Sequence, residues 1–355
     1  MLRKPHSALV RPTFIPRGVA DSEGRRGYLA NAAARISALD LTTGELHWTT
    51  DAATQPVFVA EGRLAALKRE DQRANVLLVV LLEVDDQCKL MRISEPIVFP
   101  NWVTVTAAPN EDFSFEVWGN ANELKLQWEA HARYRGGAAP SLQIQQQATH
   151  DASGVARVSI QTGRVEMLPP EERVVRLFPK RLEEVDTAPF KRGTRWDTGP
   201  WIAGEKVAAL VFEDGEEPAL MLKTWRLPAA EEEMAVAVGR GRRFVPEVTP
   251  DGQYLFVCRK AISEEQWHAT ARWQVFSVAT GRLIANLTLE RGAQELCVVG
   301  PRVLYIVEES PTVTGTTKTG EYRSILKVRE MMSNQLLWER TLQERRASRP
   351  PRLRQ

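Results

Sequence analysis

Three observations predict an all-β chain folded as a single β-propeller of four-stranded antiparallel blades. They are a hairpin signature at residues 38–48, degenerate copies of it along the chain, and the lack of any competing helical periodicity. Seven blades are expected, with six or eight as the alternatives.

The signature is Ala38-Leu39-Asp40-Leu41-Thr42-Thr43-Gly44-Glu45-Leu46-His47-Trp48. Apolar residues alternate on either side of a Thr-Thr-Gly turn, which is the pattern of a tight β-hairpin. Gly44 can take the positive φ such a turn demands, and the Asp40 carboxylate can accept from the turn amides. Trp48 would then pack between neighbouring sheets.

Shorter copies keep strand, turn and strand around Gly163 and Gly281, and a fourth turns at Ser333-Asn334 and regains its tryptophan as Trp338. Weaker hairpins centre on Asp85-Asp86, on Asn120-Ala121-Asn122 leading to Trp128, and on Leu227-Pro228. Anchors at 44, 86, 122, 163, 228, 281 and 334 are spaced by 42, 36, 41, 65, 53 and 53 residues. That is the period of a four-stranded blade, lengthened by insertions in the second half. The first two strands of a blade read most easily at Val245 to Val257, where a Pro-Asp-Gly turn separates two apolar runs; 57–67, 201–212 and 295–307 repeat the theme. Residues 8–15 are expected to close the ring beside the last blade. The propeller is expected over 1–342, with 343–355 a basic, disordered tail.

Residues 38–48 match every fixed position of the repeat A-x-D-x-x-T-G-x-x-x-W, and on these residues the chain resembles the pyrroloquinoline-quinone-repeat propellers. One branch of that family implies quinone-dependent dehydrogenases, with a Ca²⁺ site, a base Asp and a disulfide between adjacent cysteines. Cys88, Cys258 and Cys297 are far apart, and most copies lack the Trp. Neither the quinone nor Ca²⁺ is therefore expected, and no catalytic residues are nominated. The other branch implies propellers that hold protein partners, such as the outer-membrane assembly scaffold lipoprotein. A non-catalytic scaffold for a protein partner is the expected role, with a quinone-dependent oxidoreductase or a carbohydrate-active propeller as alternatives. The last would need facing carboxylates, for which Asp197, Glu205 and Glu247 are candidates.

Composition bears on partners. The net charge is +2, but residues 1–35 and 340–355 each carry +5, leaving a body of −8. A near-neutral chain does not suggest a dedicated nucleic-acid binder, although the basic tail leaves nucleic acid or anionic membrane as secondary partners. The longest apolar run, Val76 to Leu82, falls well short of the roughly 20 residues of a membrane helix. No apolar leader run opens the chain, so a cytoplasmic monomer is expected, with export the alternative if a leader precedes Met1. The cysteines and five histidines show no metal-ligand spacing.

In a propeller the connections from second to third strand, and from fourth strand to the next first strand, share one face. The long connections at 69–74, 108–112, 169–197, 213–218, 260–270 and 309–321 are assigned to that face, where binding residues concentrate. Its nominated residues are Arg195, Trp196 and Asp197, then Arg240, Arg242 and Arg243, and Trp267 with His268. The nominated repeat positions are Asp40, Gly44, Trp48, Gly163, Gly281 and Trp338.

Overall fold

The computed structural model describes residues 9–31, 33–84, 88–106, 112–132, 150–170, 201–203, 206–213, 216, 218–226, 231–240, 244–259, 270–309, 312–314, 317–319 and 321–346. Among these residues the only regular elements are β-strands, arranged in antiparallel sheets of four or five strands. The chain falls into two compact units, one of Met1–Thr13 with Arg17–Glu171 and the other of Phe14–Pro16 with Glu172–Gln355.

The first sheet runs β1 (Thr13–Ile15), β2 (Gly18–Ala20), β3 (Arg26–Ala30), β4 (Ile36–Asp40), β5 (Leu46–Thr50). The second runs β6 (Gln55–Ala60), β7 (Arg63–Arg69), β8 (Val76–Glu83), and both β9 (Lys89–Ile93) and β10 (Ile97–Val98) pair with β8. The third runs β11 (Phe113–Gly119), β12 (Glu123–Ala132), β13 (His150–Ser159), β14 (Val165–Leu168). The fourth runs β15 (Trp201–Ala203), β16 (Lys206–Glu213), β17 (Ala219–Arg226), β18 (Glu231–Arg240). The fifth runs β19 (Phe244–Val248), β20 (Tyr254–Arg259), β21 (Thr270–Ser277), β22 (Leu283–Glu290). The sixth begins with β23 (Ala293–Val299) and β24 (Arg302–Glu309). A separate ribbon of β25 (Thr312–Thr314) and β26 (Thr317–Thr319) follows, and β27 (Glu321–Glu330) and β28 (Leu336–Arg346) complete the sheet.

Within each unit, successive sheets pack on one another. In the first unit β6 lies against β2 and β3 of the first sheet and against β11 of the third. Leu67, Leu77 and Val79 of the second sheet share one core with Leu124, Leu126 and Trp128 of the third. Phe99 is the keystone of that core, meeting Phe113 and Trp128 edge to face at ring separations of 5.1 and 5.0 Å. In the second unit one core joins Leu210 and Leu222 of the fourth sheet to Leu255 and Val257 of the fifth, and another joins Trp273 and Leu287 of the fifth to Val303 and Tyr305 of the sixth.

The outer hairpins repeat one geometry. Gly44, Gly163 and Gly281 have φ of 75°, 75° and 65°, and each donates its amide to the carbonyl four residues earlier, at 2.8 Å. Cys88 (φ 47°) and Asn334 (φ 58°) stand at the same place in their hairpins. Asp40 braces its turn by accepting the amides of Thr42 and Thr43 at 2.6 and 2.9 Å, and Ser159 Oγ accepts that of Thr162 at 3.2 Å. Two residues past the left-handed position comes an apolar residue, Leu46, Leu90, Leu283 or Leu336, each more than a third exposed. A β-bulge skips the next residue, so that Trp48, Arg92, Ala285 and Trp338 fall in register with Ala38, Leu81, Val275 and Val328. Trp48, Ala285 and Trp338 are buried there; Arg92 is exposed and donates to Thr162 O at 3.0 Å.

Four expectations change. Seven anchors mark six sheets among the described residues, because 122 joins β11 to β12 while 163 joins β13 to β14 of the same sheet. An Asn-rich turn between apolar strands reads alike whether it joins the first pair of strands or the second. Over its described residues, 9–15, the segment expected to close the ring does not pair with the sixth sheet: β1 heads the first, and Val10 exchanges two backbone hydrogen bonds of 2.9 Å with Gly119. Arg11 reinforces that docking, 5.4 Å over the Trp118 ring and 3.7 Å from Glu116. The strand β28 carries on through 343–346, paired with 321–324, into the stretch expected to be a tail. Cys88, in a stretch whose apolar residues read as strand, sits instead in the connection between β8 and β9. Residues 85–87 and 227–230, which hold two of the anchors, lie outside the described residues.

Candidate functional site

Antiparallel order fixes which connections share an end of each sheet. With strands in sequence order, the first-to-second and third-to-fourth turns lie at one end, and the second-to-third connection lies at the other, where the fourth strand leaves and the first enters. We call these the turn end and the crossover end. The longest connections run through 99–112, 133–149, 169–200, 260–269 and, holding the β25–β26 ribbon, 310–320, and every one belongs to a crossover end. Turn-end connections are no longer than 160–164 or 249–253. The sequence reading missed 133–149 because it placed the anchors 122 and 163 in separate blades.

All eight nominated surface residues fall in, or border, crossover-end connections. Arg195, Trp196 and Asp197 lie between β14 and β15, Arg242 and Arg243 between β18 and β19, and Trp267 and His268 between β20 and β21; these seven lie outside the described residues. Arg240 is described and exposed, as the last residue of β18. The adjoining Gly239 is closed over by Phe244, whose ring leaves only 2.7 Å for a Cβ there. Trp201 serves the fold, packing on the core of the fourth and fifth sheets and donating Nε1–H to Gly252 O at 3.2 Å.

The repeat residues are structural. Asp40 braces its turn, Gly44, Gly163 and Gly281 supply left-handed backbone, and Trp48 and Trp338 are 8% and 9% exposed. Desolvation opposes the Asp40 charge, yet the amides of Thr43 and Thr42 hold its carboxyl below the usual carboxylate range.

Two carboxylates of the fifth sheet carry distinct electrostatics. Glu247 on β19 is 3% exposed and accepts the Leu296 amide of β23 at 2.8 Å. Burial, with the like charge of Glu295, pushes its carboxyl up to about 7 against the pull of the Leu296 amide. Of the other carboxylates named with it, Asp197 and Glu205 lie outside the described residues.

Glu290, at the end of β22, does the opposite. Desolvation works against its charge, but Tyr305 Oη–H donates to it at 2.6 Å and Lys327 and Arg329 reach it at 3.1 Å, so its carboxyl is held down at about 2. Tyr305 Oη in turn accepts Arg329 Nε at 2.7 Å, and Lys327 also meets Glu339 at 2.8 Å. Burial, with that hydrogen bond to Glu290, pushes the Tyr305 phenol up. This network joins β22 to β24, β27 and β28, and sequence reasoning passed over it because its bonded pairs are 12 to 39 positions apart. Among the described residues no three His, Cys, Asp or Glu side chains gather as metal ligands, and the three cysteines form no disulfide. No helix among the described residues is long and apolar enough to cross a membrane.

No protein-family model matches the chain, and no curated protein does. Among solved structures it is similar to AtxE2 isopeptidase without ligand, at 11% identity and a TM-score of 0.44, covering 92% of this chain and 51% of the isopeptidase. A variant of the same isopeptidase with Astexin3-dC4 bound gives 12% identity and 0.43 over the same shares. An acylaminoacyl peptidase of Pyrococcus horikoshii gives 11% and 0.27, over 66% of this chain and 32% of that one. The chain thus spans about half the length of the isopeptidase.

Proposed function

We propose that the chain is a non-catalytic β-propeller scaffold that holds a protein partner at the crossover ends of its sheets. The six sheets are its blades in this reading, in place of the seven expected from the turn anchors. Face-to-face packing of successive sheets within each unit favours a propeller. A scaffold of short turns at one end and long connections at the other is the usual way a rigid fold presents a binding surface.

The observation that carries the proposal is that the longest connections all belong to crossover ends. Arg240, with Arg195, Arg242 and Arg243 in those connections, would give the surface a basic character suited to an acidic protein partner. Neither the quinone nor Ca²⁺ has a part in this reading.

The test is affinity capture from the native host with the intact chain, beside a variant whose residues 178–195 and 262–267 are replaced by short Gly-Ser linkers. The intact chain should retain a stoichiometric protein partner that the variant loses at unchanged melting temperature. Arg240→Glu should weaken that complex about tenfold, with a flatter salt dependence. Identical recoveries from both proteins, or turnover of a small molecule by the intact chain, would overturn the proposal.

A further inference from the structure

The junction of the fifth and sixth sheets holds one buried carboxyl on its first strands, and its surroundings are one-sided. Glu247 lies on β19, opposite Phe256 of β20, and reaches across to β23. The amide it accepts belongs to a β-bulge between Gln294 and Cys297, where Glu295 has the left-handed φ of 55°. A glutamate gains nothing from that conformation. The bulge does turn the Leu296 amide toward Glu247, and the Cys297 thiol is placed to donate to Glu295 O at 3.4 Å.

Glu295 of β23 acts on Glu247, and the Cys297 thiol beside it feels Glu295, Asp251 of the β19–β20 turn and Glu247 itself. All are acids. Asp251 accepts from Thr249 Oγ1 at 2.5 Å. A neutral Glu247 carboxyl satisfies the Leu296 amide at no cost in charge burial, whereas the ionised form sits unbalanced in an apolar seam.

We propose that Glu247 is a proton-operated latch between β19 and β23: protonated it holds the bulge at Glu295–Leu296, and ionised it draws water into the seam and releases it. The carboxyl, held near 7 when the latch is closed, returns to the ordinary range when the strands part. The closed state therefore binds the proton more tightly. Its advantage is complete below about pH 4.5, falls as pH rises, and is gone above about 7. The same linkage makes the sixth sheet's first strand a reporter of proton concentration near neutrality, independently of any partner at the crossover ends.

Hydrogen exchange at the Leu296 amide tests this in the full-length protein. After correction for intrinsic base catalysis, the opening constant should rise about tenfold per pH unit between about 5 and 7 and then level off. Glu247→Gln keeps the accepting oxygen and should remove that rise, leaving protection constant across the range. Should that variant fold poorly, Glu295→Gln removes the like charge and should move the carboxyl ¹³C titration of Glu247 to lower pH, with the exchange profile following it. A flat profile in the unaltered protein, the same rise in Glu247→Gln, or a Glu247 midpoint below 5 would overturn the latch.

Discussion

Cys88 holds, at φ 47°, the backbone conformation that Gly44, Gly163 and Gly281 hold in their own hairpins. A Cβ in the left-handed region costs on the order of 1 kcal/mol, and glycine avoids it. Cys88→Gly should therefore stabilise the protein by about 1 kcal/mol, read as a rise of about 2 °C in melting temperature. No such gain is expected from Asp40→Ala, which strips the acceptor from the Thr42 and Thr43 amides and should lower stability by about 1 kcal/mol. The two positions also show what a sequence can disclose. Asp40, Gly44 and Trp48 act within eleven residues of chain, so their spacing carries their roles. Cys88 lies in a hairpin with none of the repeat's letters, and only its φ reveals the kinship. Glu247 stood among the candidate carboxylates, but its burial against Leu296 depends on a contact 49 positions away.

Among elements, the pairing of β2 with β3 tolerates no side chain at Gly18, where a Cβ would lie 1.9 Å from Tyr28 O. That oxygen belongs to the backbone of a buried strand and cannot move aside. Gly18→Ala should cost about 3 kcal/mol, measured by urea unfolding, and more if β2 detaches. The Tyr305–Glu290–Arg329 network makes the opposite kind of prediction. Glu290 is depressed to about 2, so it contributes stability above the unfolded carboxylate range, near pH 4.5, and loses it as pH falls toward 2. Allowing for partial exposure, that contribution is on the order of 2 kcal/mol. Glu290→Gln should reduce the acid-dependent part of unfolding between pH 4.5 and 2 by that amount while leaving the pH dependence above 5 intact. Strand pairs were legible wherever apolar alternation flanked a Gly turn. The assignment of the 122 turn to its sheet was not, because nothing in Asn120-Ala121-Asn122 records that the third strand of that sheet, β13, lies beyond 133–149.

At the scale of the molecule, long crossover connections and short turns imply unequal tolerance of change. Closing a connection costs little more as it lengthens, about 0.6 kcal/mol per doubling. Inserting four residues into 262–267 should leave the melting temperature within a few degrees. The same insertion in the Thr42–Gly44 turn should lower it strongly, since that turn fixes the register of β4 on β5.

Each sheet, finally, is built from one continuous stretch of chain, interrupted only in the sixth by the β25–β26 ribbon. Nascent protein leaving the ribosome therefore never waits for a distant strand to complete a sheet. At about 5–20 residues per second, a new four-stranded sheet becomes available every few seconds, and its hairpins form within about 10 μs of emerging. Synthesis and folding are in step, sheet by sheet. A pause in translation at any sheet boundary would leave the edge of the newest sheet, rather than a half-made one, as the exposed surface that chaperones must cover.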